Sequence, residues 1–153
     1  MISYRYQIAE ERHVPEVLAL LGTITDDPTH GSKRLPDPAA AAAIWRRMRE
    51  SKQVHLIVAI TDKGKVIGSC VLSIVPNFTY NGKSWGAIEH VVTHPHVRGQ
   101  GVGSSMLQWS FNFAKQQGCY KVNLLSGDTP EQRRFYERLG FESKQIVGYR
   151  KYL

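Results

Sequence analysis

Three glycines alternate at positions 99, 101 and 103, shortly after the β-branched run Val91-Val92-Thr93 and at the start of an amphipathic stretch that opens at Val102. A chain with that order of signals must leave a strand and enter a helix through a tight backbone turn, as happens where a helix packs back onto a sheet. Along the helix, Val102, Met106, Leu107, Ser110, Phe111 and Ala114 share a broad apolar stripe, and Gly118 marks its end. At its start, the first amide groups have no carbonyl inside the helix to bond, and the helix dipole adds partial positive charge at the same place. Glycine there removes the Cβ that would stand between those amides and an anion. Arg98 supplies a guanidinium for a charge-assisted contact. The segment Arg98-Gly99-Gln100-Gly101-Val102-Gly103-Ser104 therefore reads as a cradle for phosphate oxygens.

Two better-known phosphate turns do not fit. A P-loop needs Lys and then Ser or Thr after its last glycine, whereas Gly103 is followed by Ser104-Ser105. A dinucleotide fingerprint spaces its glycines as G-x-G-x-x-G and places an acid about 20 residues later. Here the spacing is G-x-G-x-G, and Cys119-Tyr120-Lys121 offers no acid. A turn that merely joined strand to helix would not need three alternating glycines behind an arginine.

The rest of the chain punctuates itself clearly. Tyr4-Arg5-Tyr6-Gln7-Ile8 alternates as a strand, and the following helix sets Val14, Val17, Leu18 and Leu21 on one face before Gly22. Residues 23–36 are rich in turn formers and charge and read as a loop. Asp37-Pro38 then supplies a cap and a first-turn proline for a helix that runs to about Ser51 and contains an alanine run. Two β-rich runs, 54–60 and 66–75, flank Asp62-Lys63-Gly64-Lys65 and predict an antiparallel hairpin, closed by Pro76. Residues 86–93 and 121–125 predict further strands. Thr129-Pro130-Glu131-Gln132 starts a last helix, in which Phe135 and Leu139 face the sheet and Tyr136 turns elsewhere, and Gly140 stops it. Residues 141–153 are strand-like. This order describes an α/β sandwich with a mixed sheet, because the late strands need a crossover helix between them.

A chain of 153 residues with 42% hydrophobic content supports one core, so the expectation is a single domain over residues 1–153. No apolar stretch approaches the roughly 18 residues of a membrane span, and the amino terminus does not look like a signal peptide, which points to the cytoplasm. The net charge of +7 suits an anionic partner, but its cations are dispersed and no nucleic-acid motif accompanies them. Cys70 and Cys119 lie in apolar runs and read as buried thiols. His90, His94 and His96 lack the Cys or Asp companions of a metal site, so no metal is expected.

Arg98-x-x-Gly101-x-Gly103, after a strand and opening a helix, resembles the acetyl-coenzyme A motif of the GNAT family of N-acetyltransferases. Phe135-Tyr136-Glu137-Arg138-Leu139-Gly140-Phe141 resembles that family's closing helix and strand, and the element order from Tyr4 onward matches as well. The resemblance implies a GNAT-like three-layer sandwich with a mixed, splayed central β-sheet. It implies that the backbone of Val91, Val92 and Thr93 pairs with the pantetheine arm of acetyl-CoA, and that Arg98, Gly99, Gln100, Gly101, Val102, Gly103 and Ser104 hold the pyrophosphate. It also implies Glu89 as general base, with His90 in reserve, and Tyr136 as proton donor to the leaving thiolate. In a regular strand His90 would face away from Glu89; a bulge would change that. Direct transfer is expected, since Cys119 has no adjacent base in sequence and reads as a core thiol.

One departure is that many relatives place an Asn before the closing helix, where this chain has Gly127-Asp128-Thr129. Within the family, Ile88-Glu89-His90-Val91-Val92, Arg98-Gly99-Gln100-Gly101 and Gly118-Cys119-Tyr120-Lys121-Val122 are similar to glucosamine-phosphate N-acetyltransferases, which suggests an amino sugar or another small anionic amine met by Lys33 and Arg34. The second acid of those enzymes is His90 here. Other small amines and protein amino termini stay open as acceptors, as does a coenzyme A-binding module without catalysis. Family members often dimerise, so a homodimer is compatible with the resemblance.

Overall fold

Alternating apolar residues build one open sheet. In the computed structural model, which describes residues 3–24, 35–143 and 146–153, β1 (Tyr4–Ile8) pairs antiparallel with β2 (Val54–Thr61). Strand β2 pairs antiparallel with β3 (Val66–Val75), and β3 with β4 (Ser84–Thr93). Strand β5 (Cys119–Leu124) joins β4 in parallel, giving the order β1-β2-β3-β4-β5. The hairpin expected at residues 62–65 forms, with Gly64 at φ 78°.

Helix α1 (Val14–Leu21) lies on one face, where Val17 and Leu20 pack with Val58, Ile60, Val66 and Val92. Leu20, rather than Leu18 or Leu21, is the buried leucine of α1: in a helix of only eight residues the core contact follows Val14, Val17 and Leu20 at i, i+3, i+6. Helix α2 (Pro38–Ser51) begins at Asp37, whose carboxylate accepts the Ala40 amide at 2.9 Å, and touches α1. On the other face, α3 (Val102–Gln116) sets Met106, Leu107 and Ala114 against Ile57, Ala59, Cys70, Leu72 and Ile88. Helix α4 (Pro130–Arg138) adds Phe135 and Tyr136 to the same core, with Leu139 just beyond it. The architecture is a three-layer α/β sandwich around a mixed sheet, with α3 as the crossover that the parallel β4–β5 pair requires.

The expected last strand is not present among the described residues of 141–153. Ile146, Val147, Tyr149 and Leu153 are exposed there, and Gly148 comes so near Leu125 that a Cβ would sit 2.6 Å from its Cδ2. A β-prone run becomes a strand only where an edge accepts its ladder, and here the segment meets the side chain of Leu125, just past β5, instead. The loop expected at residues 23–36 falls mostly outside the described residues, and Lys33 and Arg34 with it.

The sheet opens where β4 outlasts β5. Pairing between them runs from Ser84↔Cys119 to Ile88↔Leu124, whereas β4 stays on β3 as far as Gly68↔Thr93. Beyond Ile88, the side of β4 that faced β5 has no ladder partner among the described residues. This is the splay that the family resemblance implied.

Candidate active site

Strand β4 is kinked where it leaves β5. Its register on β3 jumps from Val71↔Glu89 to Ser69↔Val92, so β4 carries one extra residue opposite Cys70. His90 absorbs the bulge at φ 54°, in the left-handed region where histidine is more common than most side chains. Regular alternation therefore ends at Glu89, and Glu89 and His90 are both exposed at the kink. After it, Val91 packs on the α3 side and Val92 on the α1 side.

From Thr93 the chain is pinned before it turns. The His94 amide donates to the Ile67 carbonyl at 2.8 Å, a short 3-10 turn covers Pro95–Val97, and Val97 is buried. Arg98 Nε donates to the Thr93 carbonyl at 3.3 Å, and Gln100 Nε2 to that of His96 at 2.9 Å. Gly99 and Gly101 stand at φ 74° and 84°, with no atom within 4 Å of where a Cβ would be. Their need for glycine is thus a matter of backbone conformation, and the space above them is open. Gly103 differs, since a Cβ there would meet Thr93 Cγ2 at 3.4 Å and Phe135 Cζ at 3.7 Å.

The first helical bond, from the Ser105 amide to the Gly101 carbonyl, is 2.9 Å. Ahead of it, the amides of Gly99, Gly101, Val102, Gly103 and Ser104 have no protein acceptor among the described residues, while that of Gln100 is engaged by the Val97 carbonyl at 3.3 Å. Open space above bare amides at a helix start is what a diphosphate requires, so the residues present fit the nucleotide end of acetyl-CoA. One support was not visible in the sequence: the Tyr6 hydroxyl reaches from β1 to the Val102 carbonyl at 3.3 Å and steadies the first turn of α3.

Helix α4 is capped as expected, Thr129 Oγ1 accepting the Gln132 amide at 3.2 Å. Tyr136 does not turn away from the core: it is half-buried, edge-on to Phe135 at 5.0 Å and to Phe141 at 5.7 Å. It also lines a cleft of about 610 Å³ with Leu124, Leu125, Arg133 and Phe141. Burial raises its phenol pKa above the usual value, and neighbouring Cys70 adds to the rise. Cys70 lies on β3 opposite the bulge, and it packs in the same core as Tyr136.

The thiols are poor nucleophiles. Cys70 is buried with Sγ 3.5 Å from Ser110 Oγ, and burial pushes its pKa up to about 11. Burial raises Cys119 too. Reactive cysteines show the opposite shift. His94 and His96 stack loosely, and among the described residues no group of three or more His, Cys, Asp or Glu is arranged to hold a metal ion. No helix among them is long and apolar enough to cross a membrane.

Comparison with known proteins agrees with this geometry. The Acetyltransferase (GNAT) family matches residues 18–141. A glucosamine 6-phosphate N-acetyltransferase of Trypanosoma brucei brucei is 31% identical over 145 residues, which cover 95% of this chain and 93% of that protein. An aminoalkylphosphonate N-acetyltransferase of Salmonella typhimurium is 32% identical over 95 residues, 61% of this chain and 60% of its own. Among solved structures, an acetyltransferase from Trypanosoma brucei superposes with a TM-score of 0.78 at 30% identity, covering 98% of this chain and all of its own. With a family match over most of its length and a relative 31% identical over nearly the whole chain, the chain belongs to the GNAT acetyltransferases and is an acetyl-CoA-dependent acyltransferase.

Proposed function

We propose that the protein moves an acetyl group from acetyl-CoA directly to the primary amine of a small molecule that also carries a phosphoryl or phosphonyl group, an amino-sugar phosphate being the leading example. The observation that carries this reading is the length of β4 left free beyond Ile88, which leads through a short 3-10 turn to the bare amides of Gly99 and of residues 101–104. A relative named for glucosamine 6-phosphate and another named for aminoalkylphosphonate share an amine and a phosphorus-centred anion, which supports the acceptor class.

In this mechanism acetyl-CoA supplies an activated acyl thioester. Val91, Val92 and Thr93 hold its amide-bearing arm as an added strand, with most of the pairing at Val91 and Val92, because the Thr93 carbonyl already accepts from Arg98. The amides of Gly99, Gly101, Val102, Gly103 and Ser104, with the Arg98 guanidinium, hold the diphosphate, and the Gln100 side chain braces the turn through His96. An alkylamine with a pKa near 10 is mostly ammonium at neutral pH, so Glu89 removes its proton, with His90 adjacent on the same kink. An amide on the free edge of β4 meets the oxyanion. Tyr136, kept protonated by burial, hands a proton to the departing thiolate, whose pKa is ordinarily about 8.5. Cys70 and Cys119 take no acyl group, and transfer is direct.

The test is thiol release from acetyl-CoA over a panel of amines. Glucosamine 6-phosphate or an aminoalkylphosphonate should be turned over with a kcat/KM at least about tenfold above the same amine without its phosphorus group, the scale of one well-placed charge contact. Equal rates would remove the anionic acceptor from the proposal. Turnover of a peptide amino terminus in preference to every small amine would overturn it.

A further inference from the structure

The glycine turn has a cationic rim that the chemistry above does not use. Strand β3 begins beside the end of β4, through the Gly68↔Thr93 pair and the bond from the His94 amide to the Ile67 carbonyl. That register brings Lys65, the last residue of the β2–β3 turn, near His94 at the end of β4. The His94 and His96 rings lie 5.2 Å apart, and the His96 amide donates to His94 Nδ1 at 3.4 Å. Loss of water contact, and then the charges of Lys65, His96 and Arg98, hold the His94 imidazole below its usual pKa, with no carboxylate acting on it.

Lys65 and Arg98 are not neutralised by an acid among the described residues. Arg98 uses Nε on the Thr93 carbonyl and has no partner on its Nη atoms among the described residues. Lys65 makes no ion pair among them. The nearby Glu16 carboxylate is occupied by the Val66 amide at 3.0 Å, on the α1 side of the sheet, and Asp62 in the same turn is exposed and pairs with none of them among the described residues. Bare amides plus Arg98 already suffice for a diphosphate. Lys65 and the two imidazoles gathered beside them, without an acid, offer a positive charge and ring N–H donors to a further anion. Coenzyme A carries such an anion, a 3′-phosphomonoester on the ribose next to the diphosphate.

We propose that Lys65, His94 and His96 form a subsite for the 3′-phosphomonoester of the acetyl donor, by which the protein tells coenzyme A from its 3′-dephospho form. This rests on the reading of residues 99–104 as the diphosphate cradle.

Isothermal titration with coenzyme A and with 3′-dephospho-coenzyme A tests it without any acceptor. Wild-type protein should bind coenzyme A roughly tenfold more tightly, the scale of one or two partly exposed charge contacts. In the Lys65→Gln/His96→Gln variant the Kd for coenzyme A should rise about tenfold, while that for the dephospho form stays within about twofold. Both replaced side chains are on the surface, and an unchanged thermal unfolding midpoint verifies the fold. Equal Kd values for the two ligands in the wild type, or a variant that weakens both alike, would overturn the subsite and leave the cradle standing. Failure of folded wild-type protein to bind either ligand would overturn the cradle, and the subsite with it.

Discussion

Glu89 and Tyr136 are assigned different steps, and single substitutions separate them. Glu89→Gln keeps the size of the side chain and removes the base, so kcat/KM for the amine should fall by about 10²- to 10⁴-fold while acetyl-CoA affinity stays put. Because a base is needed only for ammonium, raising the pH should recover part of the loss. A Glu89→Gln rate within about twofold of wild type across the pH range would move the base elsewhere. Tyr136→Phe should lower kcat by about 10-fold or more and flatten the fall in rate at high pH that ionisation of the phenol causes. Two other residues bear on stability. His13 is buried and accepts the Glu10 amide at 3.0 Å, and His55 Nε2 is buried with no hydrogen-bond partner among the described residues while its ring stands edge-on to Phe113 at 4.9 Å. Burial first, then Arg12 for His13 and Arg49 for His55, lowers both pKa values from 6.5. As pH falls through 6.5 the unfolded chain takes up protons that the folded one refuses, so stability is complete above that pH and declines below it. The urea midpoint should drop between pH 7.5 and 5.5, and drop less in His55→Phe; a midpoint that does not move would contradict the assignment.

At the scale of elements, the glycine turn separates backbone need from packing. Gly101→Ala forces a side chain into the left-handed region and should cost about 1–2 kcal/mol of stability besides weakening acetyl-CoA binding. Gly103→Ala gains up to about 1 kcal/mol of helix propensity against a 3.4 Å contact with Thr93 Cγ2, so its stability should stay near that of the wild type. Equal losses in denaturant titrations of the two variants would refute the distinction. Elements announced by local chemistry were readable in advance: Asp37-Pro38, Thr129-Pro130 and the 62–65 turn all fix backbone angles within a few residues. What was not readable depends on distant partners. The bulge at His90 arises from the register of β4 on β3, Tyr6 acts on α3 across 96 residues, and the run at 146–153 has strand-like composition without a ladder to join. Of the candidate site, the turn and its bare amides could be foreseen, whereas the packing of Tyr136 into the α3-side core could not.

For the whole molecule, the two faces of the sheet divide the work. The α1 face and the antiparallel strands β1 to β4 form a layered support, while α3 and α4 on the other face, with edge strand β5, position the glycine turn and Tyr136. Strand β5 is held to the sheet by a short parallel ladder that ends at Ile88. The stretch of β4 past that point therefore keeps polar backbone groups facing water in the free protein. Deuterium should enter those amides quickly in heavy water and slowly once a donor arm lies along them, while the β2–β3 ladder exchanges at one rate in both states. The gap between strands would then be legible in a mass spectrum as a patch of protection, some five residues long, that appears only with the nucleotide thioester bound.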